Sequence, residues 1–319
     1  MTPSVPRIVP FVSEAGPEER QAWREALPAA LSGIADVKPF DDLTEEERKT
    51  ARVAIVANPD PAKVAALTSL VWVQSLWAGV ERLATELPET GPQIVRLMDP
   101  QMAETMSEAV LAWTLYLHRD MPRYMHQQNQ KIWQEHQLKT PAERTVGVLG
   151  LGKLGSASAQ RLRTNGFNIL GWSRGEKSLD GIDCHHGATG LTAVLSRSDI
   201  VVLLMPLTSE TRGMIGAEEL NSCKGGAALI NFARGPILDA EALIEALDRG
   251  QLSHAVLDVF DEEPLPHTSP LWSHEKVTVL PHISAPTITS TASRIVADNI
   301  GRYFETGAVP QSVDRKRGY

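Results

Sequence analysis

Cysteine is scarce in this chain. Cys184 and Cys223 are the only two in 319 residues, and they form no CxxC pair. That speaks against a disulfide scaffold and a structural zinc site, and for a reducing compartment. Basic charge is also short: 31 Lys and Arg stand against 39 Asp and Glu, a formal charge of −8. With no basic stripe in view, nucleic acid is not an expected partner. No segment reaches the ~18 unbroken apolar residues of a membrane span. The opening MTPSVPRIVPFV is interrupted by Pro6 and Pro10 and does not resemble a secretory leader. No internal repeat or low-complexity tract is evident. A cytoplasmic protein with no membrane partner is the resulting expectation. Its length allows two domains with substantial cores.

What the chain does have is one stretch around which the rest is organised, TVGVLGLGKLGSASAQRLRTNGFNILGWSR, from Thr145 to Arg174. An apolar run, 146–149, leads into Gly150, Gly152 and Gly155 in the order G-x-G-x-x-G. A helix-compatible segment from Lys153 follows, then a second apolar run, 167–172. Gly150 suits the tight turn, Gly152 a close backbone approach to a pyrophosphate, and Gly155 tight helix-on-strand packing. The helix start, Lys153 and Leu154, offers backbone N–H groups and a positive dipole end to phosphate. The motif alone is weak among 23 glycines, but the flanking strand and helix are the context it requires.

The end of the second apolar run selects the cofactor. An NAD site usually carries Asp or Glu there, bonded to the ribose 2′-OH. Here the residues are Ser173 and Arg174, with Lys177 close behind. A hydroxyl, a guanidinium and an ammonium suit a 2′-phosphate, so NADP(H) is preferred over NAD(H). The competing reading makes Arg174 and Lys177 solvated loop charges.

Strand-like runs at 7–12, 52–57, 70–76 and 92–98 alternate with helical segments at 17–27 and 61–67. They imply a small α/β domain in the first hundred residues. A long helix is expected over 101–121, followed by a polar segment, 126–143, with an isolated Trp133. Beyond Thr145, six strand candidates (146–149, 169–172, 200–205, 227–231, 255–259 and 277–280) predict a doubly wound parallel sheet. A last helix is expected over 287–306. In such sheets ligands bind beyond the carboxyl ends of the strands. Arg234, Asp258, Glu263 and His282 all stand there. Hydride transfer to a 2-oxo acid needs a rigid cation for the carboxylate and a proton donor working near neutrality. A carboxylate beside that donor keeps it charged. Arginine, histidine and glutamate supply these parts. Each also has a plainer reading: Arg234 as a structural ion-pair partner, Glu263 as one of three acids in a solvated turn, Asp258 as a loop cap.

The glycine motif, MPLTSETRGMI, NFARGPILD, LDVFDEEPLP and PHISA, in this order, resemble the D-2-hydroxyacid dehydrogenase family. HQQNQKIW and the ending VDRKRGY are similar to its glyoxylate/hydroxypyruvate reductase A branch. The resemblance implies a Rossmann-type sheet inserted into a smaller flavodoxin-like α/β domain. Residues 1–100 and 288–319 would form the substrate domain, and 101–287 the dinucleotide domain. It implies Arg234 on the substrate carboxylate, His282 as general acid and Glu263 as its partner. Asp258, with backbone groups near Phe232 and Ala233, would hold the nicotinamide carboxamide. Pro206 and Thr211 would lie over the cofactor, and the Trp77-Ala78-Gly79 turn would grip the substrate carboxylate. No metal is implied. A homodimer is, with Trp133 facing a second subunit or the substrate. The expected reaction is NADPH-dependent reduction of glyoxylate and hydroxypyruvate. Two rivals stay open: another dehydrogenase on this scaffold, and a dinucleotide-sensing corepressor. A formate dehydrogenase would carry Gln at position 263, and no room is expected after the last helix for a regulatory extension.

Overall fold

The computed structural model describes residues 7–315, so the final Lys316 to Tyr319 of the VDRKRGY ending lie outside the described residues. The chain divides into two compact units, Met1–Gln101 with Thr287–Tyr319, and Met102–Pro286.

In the first unit, β1 (Ile8–Ser13), β2 (Asp36–Pro39), β3 (Val53–Ala57), β4 (Trp72–Ser75) and β5 (Gln93–Val95) form one sheet in the order β2-β1-β3-β4-β5. Every pairing is parallel. Strand β3 is apolar and buried throughout, as a strand covered on both faces must be. Its residues alternate between two clusters: Val53, Ile55 and Ala57 pack with Trp23, Leu27 and Trp72, while Ala54 and Val56 pack with Val64 and Leu83. Helix α1 (Pro17–Ala30) runs three residues past its expected end at Leu27, straight through Pro28. Leu27 and Leu31 are fully buried beside Ala292, Val296 and Ile300 of the helix at Thr289–Thr306. That burial outweighs the missing hydrogen bond.

In the second unit, β6 (Thr145–Leu149), β7 (Asn168–Ser173), β8 (Asp183–His186), β9 (Ile200–Leu203), β10 (Ala227–Asn231), β11 (Leu252–Leu257) and β12 (Val277–Val279) form a parallel sheet. Its order, β12-β11-β10-β9-β6-β7-β8, reverses between β6 and β9. This is the doubly wound, Rossmann-type arrangement, and the reversal marks the crevice in which such sheets bind ligands. On β9, Val201 and Leu203 enter one core with Leu149, Leu229 and Leu243, while Ile200 and Val202 enter the other with Val148, Ile230 and Leu162.

The sheet has seven strands where the sequence suggests six. The addition, β8, is the edge strand Asp-Cys-His-His, half exposed and without an apolar pattern. Its counterpart β2 is likewise a polar edge strand. Charge and exposure keep an edge from templating a partner, and they also hide it from a hydrophobicity reading. The long helix (Pro100–His118) ends three residues short of its expected end at Met121, and a second helix, Met121–Gln130, runs into the polar segment 126–143. It enters through a left-handed Asp120 and Pro122 near its N-terminus. Trp133, three residues beyond, is 98% exposed. Among the described residues, no helix is long and apolar enough to cross a membrane.

Candidate active site

The end of β6 shows why three glycines are needed. Gly150 has φ +105°, and a Cβ there would lie 2.8 Å from the carbonyl carbon of Leu204. At Gly155 a Cβ would lie 1.9 Å from the Gly150 carbonyl oxygen. Turn and helix are thus packed backbone to backbone. Gly152 differs, since a Cβ there would meet nothing within 4 Å. It is the N-cap of the helix Lys153–Thr164 and brings no side chain to the first-turn N–H groups at Lys153 and Leu154. Closed packing on two sides and an open, donor-rich third side fit a pyrophosphate.

Ser173 ends β7, nearly buried, and its hydroxyl donates to the Gly175 carbonyl at 2.8 Å. Arg174 forms an ion pair with Glu210. The Lys177 ammonium donates to the Leu151 carbonyl, inside the glycine turn. Pro206 and Thr211 lie after β9. The Thr211 hydroxyl donates to the Pro206 carbonyl at 2.7 Å and accepts from the Thr208 amide at 2.8 Å. Phe232 and Ala233, after β10, are each 4% exposed.

Four titratable side chains, Arg234, Asp258, Glu263 and His282, gather at the ends of β10, β11 and β12. Asn231 closes β10: its side-chain oxygen accepts from the Ala233 amide at 3.1 Å, and its amide group donates to the Arg234 carbonyl at 3.3 Å. Arg234 is half-buried, and its guanidinium donates to the Ala233 carbonyl at 2.7 Å. Gly235 follows against the Phe260 backbone, where a Cβ would lie 2.0 Å from the carbonyl carbon. The backbone of the Arg234 loop is therefore pressed onto the segment that carries Glu263. One Glu263 oxygen accepts from the Phe260 amide at 2.9 Å, and the other meets His282 Nδ1 at 2.7 Å.

The hydrogen bond from Glu263, backed by its charge and that of Asp258, raises the His282 pKa above the usual histidine value; burial and the charge of Arg234 oppose it. Burial acts to raise the Glu263 pKa, but the bonds from His282 and Phe260 and the charges of His282 and Arg234 outweigh it and hold it below the usual range. Glu263 is thus the ionised acceptor and His282 Nδ1 carries the hydrogen. Nε2 is left to meet a ligand.

His282 has φ +55°, which a residue with a Cβ adopts only when its surroundings require it. Asp258 meets that requirement. It is 2% exposed, and its two oxygens accept from the Ile283 amide at 2.7 Å and the Ser284 amide at 2.9 Å. The carboxylate assigned by resemblance to the carboxamide is thus also the clamp on the histidine loop, and its remaining lone pairs are what a carboxamide could use. The sequence reading missed two residues here. Ser284 is 5% exposed with a hydroxyl that has no partner, and Glu210 faces Arg174. The signal for Ser284 is its place in PHISA beside His282, and that for Glu210 is its place in MPLTSETRGMI beside Thr211; neither shows what the side chain faces.

The profile of the D-isomer specific 2-hydroxyacid dehydrogenase NAD binding domain matches residues 111–284. A glyoxylate/hydroxypyruvate reductase A of Yersinia enterocolitica is 36% identical over 300 residues, covering 91% of this chain and 95% of that protein. The chain belongs to the D-isomer specific 2-hydroxyacid dehydrogenase family. Within that family it stands with the glyoxylate/hydroxypyruvate reductase A branch. A family member of Xanthobacter autotrophicus, solved with NADPH and MES, is 40% identical with a TM-score of 0.90, over 99% of this chain and 100% of that one. An NADPH-dependent glyoxylate/hydroxypyruvate reductase of Sinorhizobium meliloti, solved with NADP and sulfate, is 31% identical with a TM-score of 0.84, over 98% and 99%.

The second unit brings Arg234, Asp258, Glu263 and His282 into one cluster. Trp77, Ala78 and Gly79 follow β4 in the first unit. There the Trp77 indole donates to Glu19 at 3.1 Å, and its backbone is tied to the Ser75 hydroxyl at 3.0 Å.

Proposed function

We propose that this chain is an NADPH-dependent reductase of small 2-oxo acids, converting glyoxylate to glycolate and hydroxypyruvate to D-glycerate. The observation that carries the reading is the ionised Glu263 bonded to His282 Nδ1 beside Arg234, at the strand ends of a Rossmann-type sheet. The Yersinia and Sinorhizobium relatives, each named for these two substrates, support it.

When bound, NADPH supplies the hydride for the carbonyl carbon. In this reading the second unit is the dinucleotide-binding domain, with pyrophosphate on the first-turn amides of Lys153 and Leu154. Asp258 and the backbone near Phe232 and Ala233 hold the carboxamide. Arg234 takes the substrate carboxylate through its planar fork and fixes the carbonyl oxygen near His282. His282 gives the proton on Nε2 to that oxygen as charge develops there. Glu263 keeps the imidazolium charged beforehand and orients it. Half exposed, His282 is reprotonated from water. In the reverse direction the same nitrogen, unprotonated, removes the hydroxyl proton.

Purified protein incubated with glyoxylate or hydroxypyruvate is expected to consume NADPH, followed by its near-ultraviolet absorbance, and to consume NADH more slowly. No turnover of either substrate overturns the reading. Arg174→Ala tests the cofactor assignment. A charged hydrogen bond contributes about 1.5–3 kcal/mol, so the variant should bind NADPH roughly ten- to a hundredfold more weakly, with NADH little affected. Equal losses for both nucleotides would remove Arg174 from the 2′-phosphate site.

A further inference from the structure

Arg174 has a rival anion. Glu210 stands in the turn after β9, and its carboxylate is in direct contact with the Arg174 guanidinium. The turn is well fixed. The hydroxyls of Thr208 and Thr211 each accept from the other residue's amide, at 3.2 and 2.8 Å, and the Arg212 amide donates to the Thr208 carbonyl at 3.0 Å. Past the turn, the Gly213 amide donates to the Pro236 carbonyl at 2.8 Å. The backbone thus delivers Glu210 to this place, while its side chain, 61% exposed, is free to swing into water.

A 2′-phosphate carries a charge of about −1.5 to −2. Arg174 and Lys177 offer two positive charges against the acids Glu176, between them in the chain, and Glu210, the carboxylate in direct contact with Arg174. A phosphate on Arg174 therefore meets a guanidinium already paired and a carboxylate that repels it. A ribose bearing only a hydroxyl feels no such repulsion. We propose that Glu210 is a specificity-determining residue: it occupies Arg174 as a counter-ion that the 2′-phosphate must displace, and so holds down the affinity for NADP(H) without holding down that for NAD(H). Ser173 and Arg174 stand where an NAD site carries its acid at the end of β7; the fold brings the Glu210 carboxylate to Arg174 from the loop after β9. The proposal rests on the assignment of Arg174 to the 2′-phosphate.

The test compares Glu210→Gln and Arg174→Ala with the wild type, without substrate. Dissociation constants for NADPH and NADH are measured by calorimetry, and those for 2′,5′-ADP and 5′-AMP as fragments. Exposed ion pairs are weak, so Glu210→Gln should bind NADPH and 2′,5′-ADP about two- to fivefold more tightly. Its affinity for NADH and 5′-AMP should not rise. That pattern, with NADPH binding weakened in Arg174→Ala as expected above, supports the proposal. If Arg174→Ala weakens NADPH binding but Glu210→Gln binds it no better than wild type, or worse, Glu210 is not a competitor and the proposal falls while the cofactor assignment stands. If Arg174→Ala binds NADPH as well as wild type does, the assignment itself has failed, and the proposal with it.

Discussion

Replacing His282 with alanine is expected to lower kcat for reduction by roughly 10²- to 10⁴-fold, the usual contribution of a positioned general acid. NADPH affinity should change little, because the proposed nucleotide cradle around Gly150, Gly152 and Gly155 is built on other elements. Steady-state kinetics beside a direct binding measurement separate the two effects. The pH profile gives a sharper form. In the proposed mechanism reduction needs His282 charged, and the bond to Glu263 raises its pKa. The reduction rate should therefore persist to higher pH than an ordinary histidine would allow and fall as pH rises through that raised value. Oxidation, which needs the neutral imidazole, should rise over the same range. Glu263→Gln removes the negative partner, so its alkaline limb should move to lower pH, with a loss in kcat smaller than that of His282→Ala. A profile unmoved in Glu263→Gln would mean that another group titrates. His282→Ala with wild-type turnover would remove the acid assignment altogether.

How much of this was open to a reader of the sequence depends on what each feature needed. The second sheet was legible because its inner strands are short apolar runs, each closed by a turn. Its edge strand β8 was not, since Asp183 to His186 carry no apolar alternation. The helix Met121–Gln130 was hidden for a related reason: it is polar nearly all round, and only Gln127 is buried. At the site, Arg234, Glu263 and His282 were visible as titratable groups after strands, but their mutual geometry was not. That geometry comes from backbone detail: the press of Gly235 on Phe260, and two amides after His282 that close on Asp258. The Asp258 clamp could not be inferred, because it joins residues 25 and 26 positions apart through main-chain donors. The pairing of Glu210 with Arg174 is hidden in the same way. A search for an acid at the end of β7 looks along the chain, whereas this carboxylate arrives from the loop after the strand on the far side of β6.

Two glycines of the same motif should fail in opposite ways when changed to alanine. In Gly155→Ala the new methyl would lie 1.9 Å from the Gly150 carbonyl oxygen and 2.9 Å from its carbon. Both are main-chain atoms of a turn that is itself wedged against Leu204 and Met205, so no flexible side chain can yield. The helix Lys153–Thr164 must lift from β6, opening the packing of Ala159 and Leu162, which are fully buried. Overpacking of this kind costs about 1–3 kcal/mol, and at roughly 2–4 °C per kcal/mol a rigid site at the upper end should lose about 6–12 °C in Tm. NADPH binding should be lost along with it, since the phosphate donors move with the helix. Gly152→Ala is the converse. Its φ is −74°, ordinary for alanine, and its Cβ meets no protein atom within 4 Å. The fold should keep its Tm, or gain slightly from a stiffer unfolded chain. The methyl instead enters the space proposed for the pyrophosphate, and NADPH should bind at least roughly tenfold more weakly, a difference of about 1.4 kcal/mol. Thermal melts and nucleotide titrations on the two variants decide the matter. A Gly152→Ala protein that binds NADPH as the wild type does would show that the cofactor lies elsewhere, whatever Gly155→Ala does to the fold.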